Sequence, residues 1–581
     1  MDRTIARRAM ARRSFGLWNV VAAAAMVALV PACSGAEGPQ GPAGPAGQEG
    51  TPGTDGTDGT DGTDGTDGTD GLDGQDATVD PALSPLEKAY AGIGGKDALT
   101  ALATITLKTN GGRWAVGEGY EPEDTGKAGV FSATVQQDIA QEGLRIDYVN
   151  NVNVLGLAAE LTYSEIHKGN VGVITGFPSL FGFPGGDMPS DRWASSQKQH
   201  RLLNPHLILQ KVAADESLAT DGGPAVLDGA LHHLLVIEDD VWPITLWVSA
   251  QTGKISKLGT VENDHVLRDV DLEVFYEGWE PTAAGVRFPS HVVLAKDGMI
   301  LHQEVRDSVD VNTAIADTEF MFPDGSNPQY DDVAAKQGAE SSQFNQMFAG
   351  IGIPIDGVQT FVLPQQVSPG VWWIQGGSHN TLVVDQSDGL VIADAPLYNA
   401  RSEAVIDWTK TQFPGKPIKY VVLTHFHDDH TGGVRAFAAE GATVVTGRAS
   451  QEFIHRSLTA KSQVSPDKLA MSGASADLIA IDPGFMFSIP DAQRPMNVHT
   501  VDSNHAADML LPYLPTQKII WVTDLYNAAN PPGLPPPFVP NAVQLYDEIT
   551  QDLQIDVSTV VTGHGGPAPN TWAEFMTAIG M

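Results

Sequence analysis

The segment Val421-Val-Leu-Thr-His425-Phe-His427-Asp-Asp429-His430-Thr-Gly-Gly433 sets three imidazoles and two carboxylates within six residues, directly behind a short apolar run. A β-strand would carry Val421, Val422 and Leu423 into a core and end where His425 and His427, two residues apart, project to the same side. The turn that follows presents Asp429 and His430 to a second position. Neutral imidazole nitrogens and carboxylate oxygens are a donor set that suits zinc, and an ordinary polar loop has no need of so many together. The chain is therefore expected to fold so that a strand delivers its C-terminal end to a metal site.

At about 150 residues per domain, the 581 residues amount to three or four units, tails included. A hydrophobic content of 42% is enough for real cores, and a formal charge of −37, from 71 acidic against 34 basic side chains, excludes a basic surface for nucleic acid. Arg3, Arg7, Arg8, Arg12 and Arg13 precede an apolar stretch from Val20 to Val30, too short for a membrane-spanning helix. Residues 1–32 thus read as a signal peptide removed on export.

Val30-Pro31-Ala32-Cys33 resembles a bacterial lipoprotein box, which implies that Cys33 becomes the lipidated first residue and anchors the chain to a membrane. It is the one cysteine in the chain, so no disulfide competes for it. Ser34, rather than aspartate, resembles lipoproteins sent on to the outer membrane, so the expected location is the outer membrane, the cell surface or the periplasmic face. Arg12-Arg13-Ser14-Phe15 also resembles a twin-arginine export motif, although a basic leader explains the same residues.

From Gly35 to Gly74 a glycine recurs at every third position, fourteen in all, first in Pro-rich triplets and then as Gly-Thr-Asp. Only glycine fits the axis of three wound chains, so this is the collagen period and implies a homotrimer if the triple helix forms. The second half carries little proline, and an extended acidic tether is the alternative form of residues 33–83.

Residues 84–340 form a β-rich region without a metal motif. It opens with the helix-like Leu86–Gly95, continues in alternating stretches such as Ala103–Lys108 and Leu272–Tyr276, and has a helical interlude near residues 189 to 214. The passages Ile244–Lys254, Gly285–Pro289 and Val309–Asn312 resemble the lipoprotein-localisation half-barrel family, which implies a curved antiparallel sheet around a helix, able to hold something apolar. Residues 341–358 read as a linker within a stretch, Pro328 to about Gly357, that carries one short amphipathic helix.

Residues 359–581 resemble the metallo-β-lactamase superfamily. Val371–Ile374, Asn380–Val384 and Gly389–Asp394 look like its paired opening strands, and the His-rich turn closes the next one. The resemblance implies an α+β fold, an αββα sandwich of two mixed sheets with metals on one rim. His505, opening His505-Ala-Ala-Asp508, suits the third histidine of the first metal better than His499; Asp524 and His564 each end a further strand.

Carried over, the family pattern places His425, His427 and His505 on one zinc and Asp429, His430 and His564 on another, with Asp524 bridging. It implies a bridging hydroxide as nucleophile on a small-molecule ester, thioester, lactone or lactam, with Asp429 as the catalytic proton carrier. Asp394 is a candidate to fix an imidazole tautomer, and Tyr398, Tyr526 and Phe538 are candidates to line a pocket.

β-Lactamases with this spacing carry cysteine at the bridging position and a lysine just beyond. Here Asp524 is followed by Leu525, Tyr526 and Asn527, and a ligand set with bridging aspartate instead resembles thioesterases of the glyoxalase II type, lactonases and other esterases or phosphodiesterases. The rival readings are a mononuclear iron enzyme of the persulfide dioxygenase type and a surface protein that binds lipid or lipoprotein.

Overall fold

The alternating stretches between residues 84 and 340 all enter one antiparallel sheet. In this computed structural model the structure describes residues 78–581 apart from 155–156, 179–184, 343–359, 377–378, 528–538 and 567. The segment expected to be a signal peptide, Cys33, the Gly-X-Y run, most of the linker and Phe538 lie outside the described residues. No described helix is long and apolar enough to cross a membrane.

The chain enters this domain through helix α1 (Pro85–Gly92), whose start is fixed by a capping box between Ser84 and Glu87. The first half of the sheet is a meander of β1 (Thr104–Val116), β2 (Thr125–Asp138), β3 (Gly143–Val154), β4 (Leu157–Lys168) and β5 (Val171–Gly176). Helices α2 (Ser190–Leu203) and α3 (Pro205–Ala214) follow, in the interlude expected near 189 to 214. The second half runs through β6 (Ala219–Leu227), β7 (Ala230–Ile237), β8 (Ile244–Ser249), β9 (Ile255–Asp264), β10 (Arg268–Pro281), β11 (Arg287–Lys296) and β12 (Met299–Val311). Strand β12 pairs with β1, so the halves join into twelve strands in the order 5-4-3-2-1-12-11-10-9-8-7-6.

The two helices bind both halves of the sheet. Arg192 of α2 meets Glu165 of β4 at 2.5 Å, Arg306 of β12 donates to the Leu203 carbonyl at 2.7 Å, and Leu202, Leu209 and Val212 pack with Leu246, Leu258, Val274 and Val292. Between α2 and strands β1 to β3 the remaining space is about 30 Å³, lined in part by Arg113, His200, His302 and Glu304. That is room for a single water. The short amphipathic helix expected in the Pro328–Gly357 stretch is α4 (Asp332–Ala339); Gly338 lies so close to Asp191 of α2 that a Cβ would meet its carbonyl oxygen at 2.0 Å.

The second domain has two mixed sheets. One contains β13 (Leu363–Ser368), β14 (Val371–Gln375), β15 (Thr381–Gln386), β16 (Gly389–Ala393), β17 (Ile418–Val422), β18 (Thr443–Gly447) and β19 (Leu478–Ile481), paired in that order. The other contains β20 (Met486–Ile489), β21 (Met496–Val501), β22 (Met509–Leu514), β23 (Ile519–Val522), β24 (Thr559–Thr562) and β25 (Asn570–Thr571). Side chains alternate across each strand. In β16, Val391 and Ala393 join the core shared with Leu510, Trp521 and Val561 of the second sheet, whereas Leu390 and Ile392 face α5 (Asn399–Gln412) through Val405 and Ile406. This is the α+β sandwich expected for residues 359–581.

The domains meet over an apolar contact. Val266, Leu267 and Val270, at the β9–β10 turn, belong to the core of the second domain rather than their own. Around them Ser457 Oγ donates to the Val266 carbonyl at 2.7 Å, Asp269 N–H to the Lys461 carbonyl at 3.1 Å and Arg268 to the Ser465 carbonyl at 3.0 Å.

Candidate metal centre

Strand ends of both mixed sheets converge on one rim. β17 runs out into His425 and His427; the single turn α6 (Asp428–Thr431) presents Asp429 and His430; β21 leads to His505, β23 to Asp524 and β24 to His564. All seven side chains expected there are buried, none more than 4% exposed. His425, His427, His505 and Asp524 each offer a ligand atom within 4.8 Å of the others, and so do His379, Asp429, His430 and His564.

Asp524 stands between the two groups. Its Oδ2 lies 3.2 Å from His425 Nε2 and 2.9 Å from His505 Nε2, while its Oδ1 lies 2.7 Å from His564 Nε2. The nitrogens crowd one another as well: His425 and His505 approach at 3.2 Å, His430 and His564 at 3.0 Å, each through Nε2. Asp429 Oδ1 and both Asp524 oxygens are buried without a hydrogen bond of proper geometry. Buried oxygens without donors, facing converging imidazole nitrogens, are the donor arrangement of a divalent cation site, so the residues fit the metals the pattern implies.

The electrostatics agree. Burial disfavours charge on Asp524, yet His430, His564 and His505 hold its carboxyl well below the usual range. Burial likewise opposes Asp429, but His430 and the His379 hydrogen bond outweigh it. Burial lowers His425 to about 3 and pushes His427 well down, leaving both neutral as ligands must be. His430 is the exception: Asp429 and Asp524, with no cation between them, hold it well above its usual value against burial.

Asp394 is fully buried at the end of β16. It accepts from the Thr424 backbone N–H at 2.8 Å, the Thr424 hydroxyl at 2.9 Å and Trp521 Nε1 at 3.0 Å, and its Oδ2 lies 3.3 Å from His430 Nδ1. That contact leaves His430 Nε2 facing Asp524 at 3.3 Å.

Two buried residues were missed in the sequence. His379, in an isolated antiparallel bridge with His564, reaches Asp429 Oδ2 at 2.7 Å. Its signal was weak, a lone histidine between glycines and the next strand. Glu118 comes from the first domain: its Oε1 accepts the Asp428 N–H at 3.2 Å and its Oε2 lies 4.0 Å from His427 Nδ1. The one hint was its place in Gly117-Glu-Gly119 between two strands.

His499 stays outside both groups, in β21 beside Tyr513. Tyr526 does not form a pocket rim; it is 3% exposed, packed edge-on against Phe575 with its hydroxyl on Asn570 at 2.8 Å. Tyr398 is also buried, its hydroxyl 3.2 Å from Thr360 Oγ1.

Residues 374–564 match the family model of the metallo-beta-lactamase superfamily, and residues 31–79 that of the collagen triple helix repeat. The C-terminal domain thus carries the metallo-β-lactamase fold, a metallohydrolase fold, and the N-terminal tail a collagen-like repeat.

Among curated relatives, the alpha subunit of 2,4-dinitroanisole O-demethylase from Nocardioides sp. (strain JS1661) is 23% identical over 204 residues, 33% of this chain and 55% of that protein. A linear primary-alkylsulfatase from Pseudomonas sp is 32% identical over 84 residues, 14% of this chain and 12% of that protein. The chain therefore spans about half the length of the first of these relatives and a smaller part of the second.

Solved structures similar to it include a metallo-beta-lactamase from Pontibacter korlensis, 20% identical with a TM-score of 0.28, covering 38% of this chain and 97% of that one. FIM-1 from Pseudomonas aeruginosa, in its mono-zinc form, has the same identity and TM-score and covers 38% and 93%.

Proposed function

We propose that the C-terminal domain is a dinuclear zinc hydrolase acting on an ester, thioester or lactone, with lactams less favoured because Asp524 stands where cysteine would be. The observation that carries this reading is the placement of Asp524, one oxygen toward His425 and His505 and the other toward His564. His425, His427 and His505 would hold one metal, and Asp429, His430 and His564 the second. When bound, zinc supplies an activated water and polarises the bond to be cleaved. Asp429, steadied by His379 on Oδ2, has Oδ1 free of hydrogen bonds to receive the proton of the attacking water and return it to the leaving group. The matched relatives are named for cleaving an aryl methyl ether and an alkyl sulfate, so both chemistries belong in the substrate panel.

The test is metal analysis of the purified protein, joined to hydrolysis of thioester, lactone, lactam, aryl-ester, phosphodiester, primary alkyl sulfate and aryl methyl ether probes. Two zinc ions per chain and turnover of at least one probe are expected, with turnover falling roughly 10²-fold or more in Asp429→Ala. One iron and no zinc would overturn the hydrolase reading; unchanged turnover in the variant would remove Asp429 from the mechanism.

For the rest of the chain we propose export, a lipid anchor at Cys33 to the outer membrane or cell surface, and trimerisation through the Gly-X-Y segment. The support is the form of the leader and the collagen-repeat match over residues 31–79.

A further inference from the structure

We propose that the metal centre is completed by the N-terminal domain: Glu118, on the β1–β2 loop, is a further metal ligand on the His427 side, and the Gly119 carbonyl sets the tautomer of His427. This rests on the reading that the histidine cluster holds metal.

The loop is built against the site. Gly117 has φ 85°, and a Cβ there would stand 2.5 Å from the Asp428 carboxylate, so the close approach requires glycine. Two residues on, the Gly119 carbonyl lies 2.8 Å from His427 Nε2. A carbonyl can only accept, so Nε2 carries the proton and Nδ1 keeps its lone pair. That nitrogen is the one facing Glu118 Oε2, at 4.0 Å. The Tyr120 carbonyl accepts from Ala507 N–H at 2.8 Å, fastening the loop beside His505 as well. One short segment thus spans two of the histidines assigned to the first metal.

Glu118 itself is 8% exposed, and a ligand atom from each of Glu118, His427 and Asp429 lies within 4.8 Å of the others. Asp428 brings another carboxylate close, its backbone N–H bonded to Glu118 and its side chain facing His265 at 3.4 Å. Among the described residues no lysine or arginine pairs with Glu118. Acids gathered in a buried pocket either take up protons or gather around a cation, and the imidazole beside Glu118 is already assigned to a metal. A carboxylate here adds a hard oxygen ligand to a nitrogen-rich position, tightening the hold on the cation.

The experiment uses the full chain. Zinc is titrated into metal-free wild type, Glu118→Gln and Glu118→Asp, and the visible absorption of the cobalt-substituted forms is recorded. Glu118→Gln keeps the shape and the contact with Asp428 N–H but weakens a metal ligand. The expected result is one zinc site weakened about tenfold or more, the other unchanged, and an altered cobalt band. Glu118→Asp is expected to weaken the same site and shift the same band to a smaller degree. A folded Glu118→Gln that binds both zinc ions as wild type does, with the same cobalt band, overturns the inference and leaves the hydrolase reading standing. If Glu118→Gln does not fold, wild-type affinity and spectrum in Glu118→Asp overturn it instead. Wild type that takes up no divalent metal overturns both.

Discussion

Asp394 and Asp524 have φ of 62° and 47°, in the left-handed region that costs a side chain other than glycine. Each terminates a strand, and the turn of the backbone there aims the carboxylate along the rim instead of into solvent. Trp521 holds Asp394 in that pose, its Nε1 on Oδ2 at 3.0 Å inside the core between the sheets. Trp521→Phe keeps most of the packing and removes the donor. We expect the metal-free protein to lose about 1–3 kcal/mol of stability, measured by denaturant unfolding, because a buried acceptor is left short of a partner. Zinc affinity should fall by roughly tenfold as the His430 contact loosens; unchanged affinity would remove Asp394 from a positioning role. At this scale the expected ligands were legible because each follows an apolar strand in the sequence, a pattern the chain displays locally. His379 and Glu118 were not, because neither sits in a metal-spacing motif. Glu118 meets His427 only through the packing of two domains.

Single elements were legible wherever one face is buried. The interlude at 189 to 214 is a case in which the consequence was not. α2 and α3 sit against the sheet, and burial lowers His200 of α2 and His206 of α3 to about 3 each. In the unfolded chain both titrate near 6.5. Between those values the unfolded state binds the protons and the folded state does not, so stability rises with pH and is lost as pH falls from about 6.5 toward 3. Two such groups contribute up to about 3 kcal/mol per pH unit. Urea midpoints at pH 7, 6 and 5 should therefore decline, and His206→Gln should flatten the decline; equal slopes would mean that His206 already carries its proton in the fold. The sequence announced a helical interlude, but neither its division into two helices nor that polar residues such as Ser196 and His200 would face the interior. Their partners, Glu165 and Gln137, come from different strands of the sheet.

For the whole molecule, composition alone sets the glycine-period segment apart from the rest of the sequence, since a strict glycine period has no core to bury. The contact between the two domains could not: Val266, Leu267 and Val270 read as strand-turn residues of their own domain and are buried in the next. The proposals for the tail make one prediction. Detergent-solubilised mature chain should sediment as a trimer, and a chain starting at Val79 as a monomer; Cys33→Ser should move the protein from the membrane to the soluble fraction. A monomer in both chains would leave the repeat as a spacer only, and an unchanged fraction for Cys33→Ser would rule out the anchor. The residues that meet at the rim run from Glu118 to His564 along the chain, and the last belongs to the turn after β24. At about 5–20 residues per second, synthesis of the intervening chain occupies on the order of tens of seconds. Glu118 waits through that interval without its partners, and the first histidine of the rim, His379, is made only in its second half, so metal capture is a late event that waits for His564.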